Sequence, residues 1–220
     1  MQKAHNGKKV KNSYTRNMHT TIISGSHRKE SQSTRVGHFL AKQLQLKGNT
    51  TSIIDLGNTE LPFWDEGLWA KERPAQWLET LAPVDVELAK ADNLIVIAPE
   101  YAGMTPARLK NFFLVVDGSN LAYKPALIVG VSAGRGGAYP VAELRMSSYK
   151  NTKLHYIPDH LIIRDVSKVL HDDLATLDER SDKYIRDRID WTLDMLLLHA
   201  SSNPVRESNL RNNEKYANGM

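Results

Sequence analysis

The sequence predicts a three-layer, doubly wound α/β domain on a five-stranded parallel sheet, with helices on both faces. Three observations predict it. Strand-like runs alternate with longer amphipathic stretches from His19 to His199, the signature of a parallel sheet with crossover helices. Two of those runs, Leu94-Ile95-Val96-Ile97 and Ala126–Val131, carry almost no polar residue, which suits strands buried on both faces. The chain has 220 residues and no internal repeat, so it suits one domain with short additions.

Each element follows from local pattern. His19–Ser24 reads as strand 1, with Ile22 and Ile23 as its core. A helix extends to about Leu46, because Val36, Phe39, Leu40 and Leu44 recur at helical spacing, and Gly48-Asn49 ends it. Thr51–Leu56 is strand 2, and residues 57–74 form a loop containing Pro62, Phe63, Trp64 and Trp69. Ala75–Ala91 is helical, with a break expected at Pro83. Asn93–Ala98 is strand 3, and a helix follows from Pro106 to about Asp117. Ala126–Val131 is strand 4, followed by a helix to about Tyr149. Lys153–Asp159 reads as irregular and Leu161-Ile162-Ile163 as a short fifth strand. The last helix is Asp178–His199, burying Ile185, Ile189, Leu193, Leu196 and Leu197; Trp191 is expected in the core, and the charges from Asp178 to Asp190 on a solvated face. His171-Asp172-Asp173 reads as a turn and helix start. Five such strands fit the flavodoxin-like order 2-1-3-4-5, which places a ligand crevice beyond the carboxyl ends of strands 1, 3 and 4.

Composition narrows the function. There is no cysteine, which excludes disulfides, iron–sulfur clusters and thiol nucleophiles, so redox chemistry would need a bound cofactor. No apolar run approaches the roughly 20 residues of a membrane helix, no secretory signal is visible, and a cytoplasmic address is expected. The formal charge is +4, yet residues 1–18 hold five basic side chains and no acid, leaving the rest near −1. Residues 1–18 therefore read as a disordered basic extension or the product of an upstream start, 19–200 as the domain, and 201–220 as a polar tail. No basic face for nucleic acid is evident. His155 and His160 flank Pro158 and do not share a helical face, so no metal site is expected.

Three loops carry the chemistry. The first, Gly25–Thr34, sets three serines, a threonine and Arg28 between a strand and a helix N-terminus, where amides and the helix dipole favour an anion. It is neither a P-loop nor a G-x-G-x-x-G turn. Capping explains one or two of these hydroxyls, but not all of them together with an arginine. The second loop, Pro99-Glu100-Tyr101-Ala102-Gly103, offers a ring and a glycine that permits close backbone approach. The third, Ser132 to Gly137, has three glycines in four residues.

In order and spacing, Gly25-Ser26-x-Arg28-x-x-Ser31, Pro99-Glu100-Tyr101, Leu109-Lys110-Asn111, Gly134-x-Gly136-Gly137 and Leu144-Arg145 resemble the NADPH-dependent FMN reductase family, a flavodoxin-like group of flavin, quinone, azo-dye and chromate reductases. Leu61-Pro62-Phe63-Trp64-Asp65 resembles its loop after strand 2. The resemblance spans His19 to Ile163. It implies FMN as cofactor and NADPH or NADH as co-substrate, in a homodimer or homotetramer using the helix near Pro106–Asp117 and the loop around Trp64. It implies that Ser26, Arg28, Ser31, Ser33 and Thr34 hold the FMN phosphate. Pro99, Glu100, Tyr101, Ala102 and Gly103 would pack along the isoalloxazine; Ser132, Gly134, Gly136 and Gly137 would line its pyrimidine edge. The reactive centre would be flavin N5, with no catalytic side chain. Ala102 stands where the family usually has Asn, and Phe112-Phe113-Leu114 replaces its usual Ala-Ile-Asp. The expected activity is transfer of hydride from NAD(P)H through FMN to a flavin, quinone or similar small acceptor. The alternatives are an electron carrier and a non-catalytic binding module.

Overall fold

A computed structural model describes residues 17–172, 178–207 and 214–216. Five parallel strands, β1 (His19–Ser24), β2 (Thr50–Asp55), β3 (Asn93–Pro99), β4 (Pro125–Val131) and β5 (His155–Ile163), form one sheet in the order β2-β1-β3-β4-β5. The helices are α1 (Gln32–Leu46), α2 (Ala75–Lys90), α3 (Ala107–Val115), α4 (Ala138–Ser147) and α5 (Glu179–Ser201).

The central strands β3 and β4 are buried at every position, as their uninterrupted apolar runs require. Alternate side chains feed two cores. Ile22, Ile95, Ile97, Leu127 and Val129 face α1 and α5, whose Val36, Leu40, Leu44, Ile189, Leu193 and Leu197 close that side. Ile23, Leu94, Val96, Ala98 and Ile128 face the opposite core with Val84, Leu88, Leu109, Phe112, Val141 and Leu144. Each fully buried aliphatic side chain contributes roughly 1.5–3 kcal/mol.

Several expectations need correction. Pro83 does not break α2, which is continuous across it; Pro83 points to solvent, and the burial of Trp77, Leu81, Val84 and Leu88 holds the helix together. The segment expected to be irregular belongs to β5. Its pairing shifts register between Ala126 and Ile128 of β4, which face Tyr156 and His160. The intervening residues, Pro158 among them, bulge from an edge strand, where the missing N–H costs no ladder bond. Arg145 fastens this bulge by donating to the carbonyls of Ile157, Pro158 and Asp159 at 2.8, 2.8 and 3.3 Å. Trp191 is 45% exposed, with the Arg188 guanidinium 4.6 Å from its ring centre. The charged run is not wholly solvated: Asp182 is buried, accepting from Leu170 N–H and Arg186 Nε at 2.6 Å each. The turn and helix start expected at His171-Asp172-Asp173 fall largely outside the described residues; His171 and Asp172 are not helical, and α5 starts at Glu179, capped by Asp178.

The expected disordered extension falls outside the described residues except at Asn17 and Met18, whose amides bond Gly48 O and Asn49 Oδ1. Of the C-terminal segment, Pro204–Glu207 and Glu214–Tyr216 are short 3-10 turns. No described helix is long and apolar enough to cross a membrane.

Candidate functional site

The loops after β1, β3 and β4 emerge side by side at the carboxyl edge of the sheet, because those strands are adjacent. Two side-chain bonds join them. Ser26 Oγ and Tyr101 Oη lie 2.8 Å apart, linking the first loop to the second. Glu100 Oε2 accepts from the Gly137 N–H at 2.6 Å, linking the second to the third.

In the first loop Ser31 caps α1, accepting from the Thr34 N–H at 3.0 Å. Thr34 Oγ1 sits 2.9 Å from both Ser24 Oγ and Ser31 Oγ. Ser26 is fully buried and its Oγ also accepts from the Arg28 N–H. The side chains expected at an anion therefore first organise the loop itself. Ser33 is buried in the first turn of α1, while Arg28 is exposed. A cavity of about 480 Å³ opens against this turn, bordered by Lys29, Glu30, Ser31, Thr34, Arg35 and His38. Arg35, in the same turn, reaches across the fold: its guanidinium donates to the carbonyls of Leu170 and Val166 at 2.7 and 2.6 Å and to that of Val169 at 3.2 Å. Burial pushes its pKa down.

The second loop begins with Pro99 at the end of β3 and turns sharply. Ala102 (φ 50°) and Gly103 (φ 75°) both adopt left-handed backbone and are exposed, and Tyr101 pairs with Met104 across the turn. The Tyr101 ring lies 5.0 Å from that of His27. The end of the turn is anchored by Glu143, which accepts from the Thr105 N–H at 2.8 Å and pairs with Lys110 at 2.5 Å. Burial pushes the Glu143 carboxyl up, but the bonds from Lys110 and Thr105 outweigh it, and its pKa is lowered.

The glycines of the third loop have different reasons. Gly137 has φ 100°, and a Cβ there would press on Ile162 at 2.7 Å. A Cβ on Gly136 would meet the Glu100 carboxylate at 2.5 Å. Gly134 has neither constraint: a Cβ would meet no atom within 4 Å, and its φ is not positive. Ser132 Oγ accepts from the Gly134 N–H at 3.2 Å, and its backbone is tied to Ile163 and Val166. Arg135 is exposed, 3.6 Å from Asp165.

Two residues that the sequence singled out have roles it did not show. The Glu100 carboxylate joins two loops. Asn111, buried in α3, accepts from Trp64 N–H at 2.9 Å and donates to Pro62 O at 2.8 Å, fixing the loop after β2. The signal for Asn111 was an amide on an otherwise apolar helix face. Trp64 is 46% exposed; the side chain of Trp69 lies outside the described set. Among the described residues, no three His, Asp or Glu side chains are grouped to hold a metal.

Residues 18–167 match the NADPH-dependent FMN reductase family. The chain belongs to that family. It is accordingly an NAD(P)H-dependent oxidoreductase with FMN as its cofactor. Among curated relatives of this FMN reductase, an NADPH azoreductase of Bacillus sp. (strain OY1-2) is 23% identical over 146 residues, covering 66% of this chain and 76% of the relative. A 2-hydroxy-1,4-benzoquinone reductase of Burkholderia sp. is 27% identical over 157 residues, covering 67% and 80%. Its fold matches that of an NADH:FMN oxidoreductase (EMOB, apo form), with a TM-score of 0.60, 19% identity and coverage of 86% and 93%. It also matches the flavoenzyme NAD(P)H:(acceptor) oxidoreductase FerB of Paracoccus denitrificans, with a TM-score of 0.59, 21% identity and coverage of 83% and 98%.

Proposed function

We propose that this FMN reductase passes electrons from NAD(P)H to a small planar acceptor, a quinone, flavin or azo compound, at the crevice formed by the three loops. The observation that carries the reading is the fastening of those loops into one unit through Ser26–Tyr101 and Glu100–Gly137. The residues present suit FMN. Hydroxyls and amides at the start of α1 suit an anion, and Arg28 in the same loop is exposed. Gly134 has no side chain although nothing inside the fold demands its absence, so its backbone can approach a ring edge. Left-handed Ala102 and Gly103 keep the second loop low and open. In this reading Ser26, Arg28, Ser31, Ser33 and Thr34 hold the phosphate; Pro99 to Gly103 lie along the ring; Ser132, Gly134, Gly136 and Gly137 bound its far edge. FMN held by these residues would supply the two-electron chemistry. The protein positions ligands and supplies backbone N–H donors; no acid, base or nucleophile is required.

The exposed Phe63, Trp64, Met104 and Leu114, in the loop after β2, the second loop and α3, support a homodimer that uses this side of the molecule. Relatives named for azo and benzoquinone substrates support the acceptor class.

The test is an anaerobic absorbance scan of FMN-loaded protein before and after NADPH. The expected result is rapid bleaching of bound flavin, with quinone reduction following. Glu100→Ala should weaken FMN binding by about tenfold, because it unfastens the second and third loops. Flavin that stays bound yet never bleaches with either nicotinamide would overturn the reading.

A further inference from the structure

One face of α5 packs on the sheet, and the opposite face carries Tyr184, Arg188, Trp191, Met195 and Leu198. Their spacing of four, three, four and three residues lays a single stripe along the helix, about 21 Å long. The stripe is open: Tyr184 is 70% exposed, Trp191 45% and Leu198 41%. Aromatic residues, methionine and arginine are the types enriched at the centres of protein interfaces. Trp191 is already held in place. The Arg188 guanidinium lies 4.6 Å from its ring centre and also reaches Asp159 of β5 at 3.5 Å. Less ordering entropy is then lost when a partner covers the ring.

Two features point to the partner. The neighbouring edge strand β5 is blunted against an added strand by Pro158 and its bulge, so the open surface on this side is helical. Charge is also unequal along α5. In its first half the exposed Arg180, Lys183 and Arg188 outnumber Glu179 and Asp187. In its second half Asp190 and Asp194 have no lysine or arginine of α5 beside them. They pair with Lys47 of α1 at 2.6 and 2.7 Å, yet both stay largely exposed. A second α5 laid antiparallel sets the basic half on the acidic half at both ends, and Tyr184 against Leu198. A parallel arrangement sets like charge on like. We propose that the α5 stripe is a two-fold, antiparallel interface with α5 of a second copy of this chain. α5 closes the core on the face of the sheet opposite α3. The contact is therefore separate from the one proposed through α3 and the loop after β2, and does not depend on it.

The test is the solution mass of the full chain by sedimentation, beside that of Trp191→Glu/Leu198→Glu. The expected result is a mass that halves. It falls from tetramer to dimer where the α3 contact also forms, and from dimer to monomer where it does not. Both side chains are exposed, so the fold should survive, which far-UV circular dichroism checks. A second measurement does not depend on that variant. The chain has no cysteine, so Tyr184→Cys/Leu198→Cys introduces the only thiols. The two sites in one helix lie about 21 Å apart, beyond the reach of a disulfide. Mild oxidation should link two copies of the double variant covalently and leave each single variant unlinked. A mass unmoved by the glutamates overturns the proposal, as does a double variant that does not link. Linking of either single variant overturns the antiparallel arrangement. A monomeric parent chain overturns the proposal too; if the emission of Trp191, isolated by comparison with Trp191→Phe, then shifts when residues 208–220 are removed, the stripe belongs to the chain's own C-terminal segment.

Discussion

Ala102 sits at φ 50°, where a Cβ crowds the following carbonyl and asparagine is far better tolerated. Asparagine is also what the family usually carries there. Ala102→Asn should therefore raise stability by about 0.5–1 kcal/mol in urea unfolding. His160 provides a second prediction at this scale. Burial, then the charges of Arg145 and Arg188, hold its pKa below the ordinary value, with Asp159 opposing. The unfolded chain then binds the proton more readily than the folded one. Stability from this residue is present above roughly pH 6.5 and is lost as pH falls toward the lower folded value. The urea midpoint should drop across that interval, and His160→Gln should flatten part of the slope. Single residues were the hardest to read from the sequence. Ser31 and Thr34 were legible as a polar cluster, but their mutual bonding depends on a helix cap seen only in three dimensions. Asp182 looked like any acid in a charged run. Its burial is set by the Leu170 amide and Arg186, and the first of these lies outside its own helix.

Elements were more legible, because periodicity records which face is buried. The apolar stripes of α1 and α5 and the continuous runs of β3 and β4 appear where pattern places them. The failures both involve proline. Pro83 lacks the N–H that would bond one turn back, yet α2 runs through it because its buried face offsets the loss. Pro83→Ala should stabilise the protein by about 2 kcal/mol, measured by thermal or urea unfolding, by restoring that bond and removing a ring clash. Pro158 misled in the opposite direction. It marks a bulge within β5, and the residue that makes this bulge tenable, Arg145, comes from α4. A local pattern cannot report a carbonyl group satisfied from another element.

For the whole molecule, strand order was legible because three unusual loops make sense only if their strands are neighbours. Arg35 makes the molecule less divisible than its layers suggest. Its guanidinium gathers three carbonyls of the segment after β5, while the turn that carries it forms the proposed phosphate cradle. Any anion that quiets the first turn of α1 also steadies the platform on which that guanidinium rests. FMN loading should therefore slow amide hydrogen exchange in Lys168–Leu170, a stretch assigned no contact with the cofactor, and Arg35→Met should erase that slowing. The turn at the start of α1 and the segment after β5 would then share one opening event, and cofactor occupancy would be legible in the exchange clock of that segment.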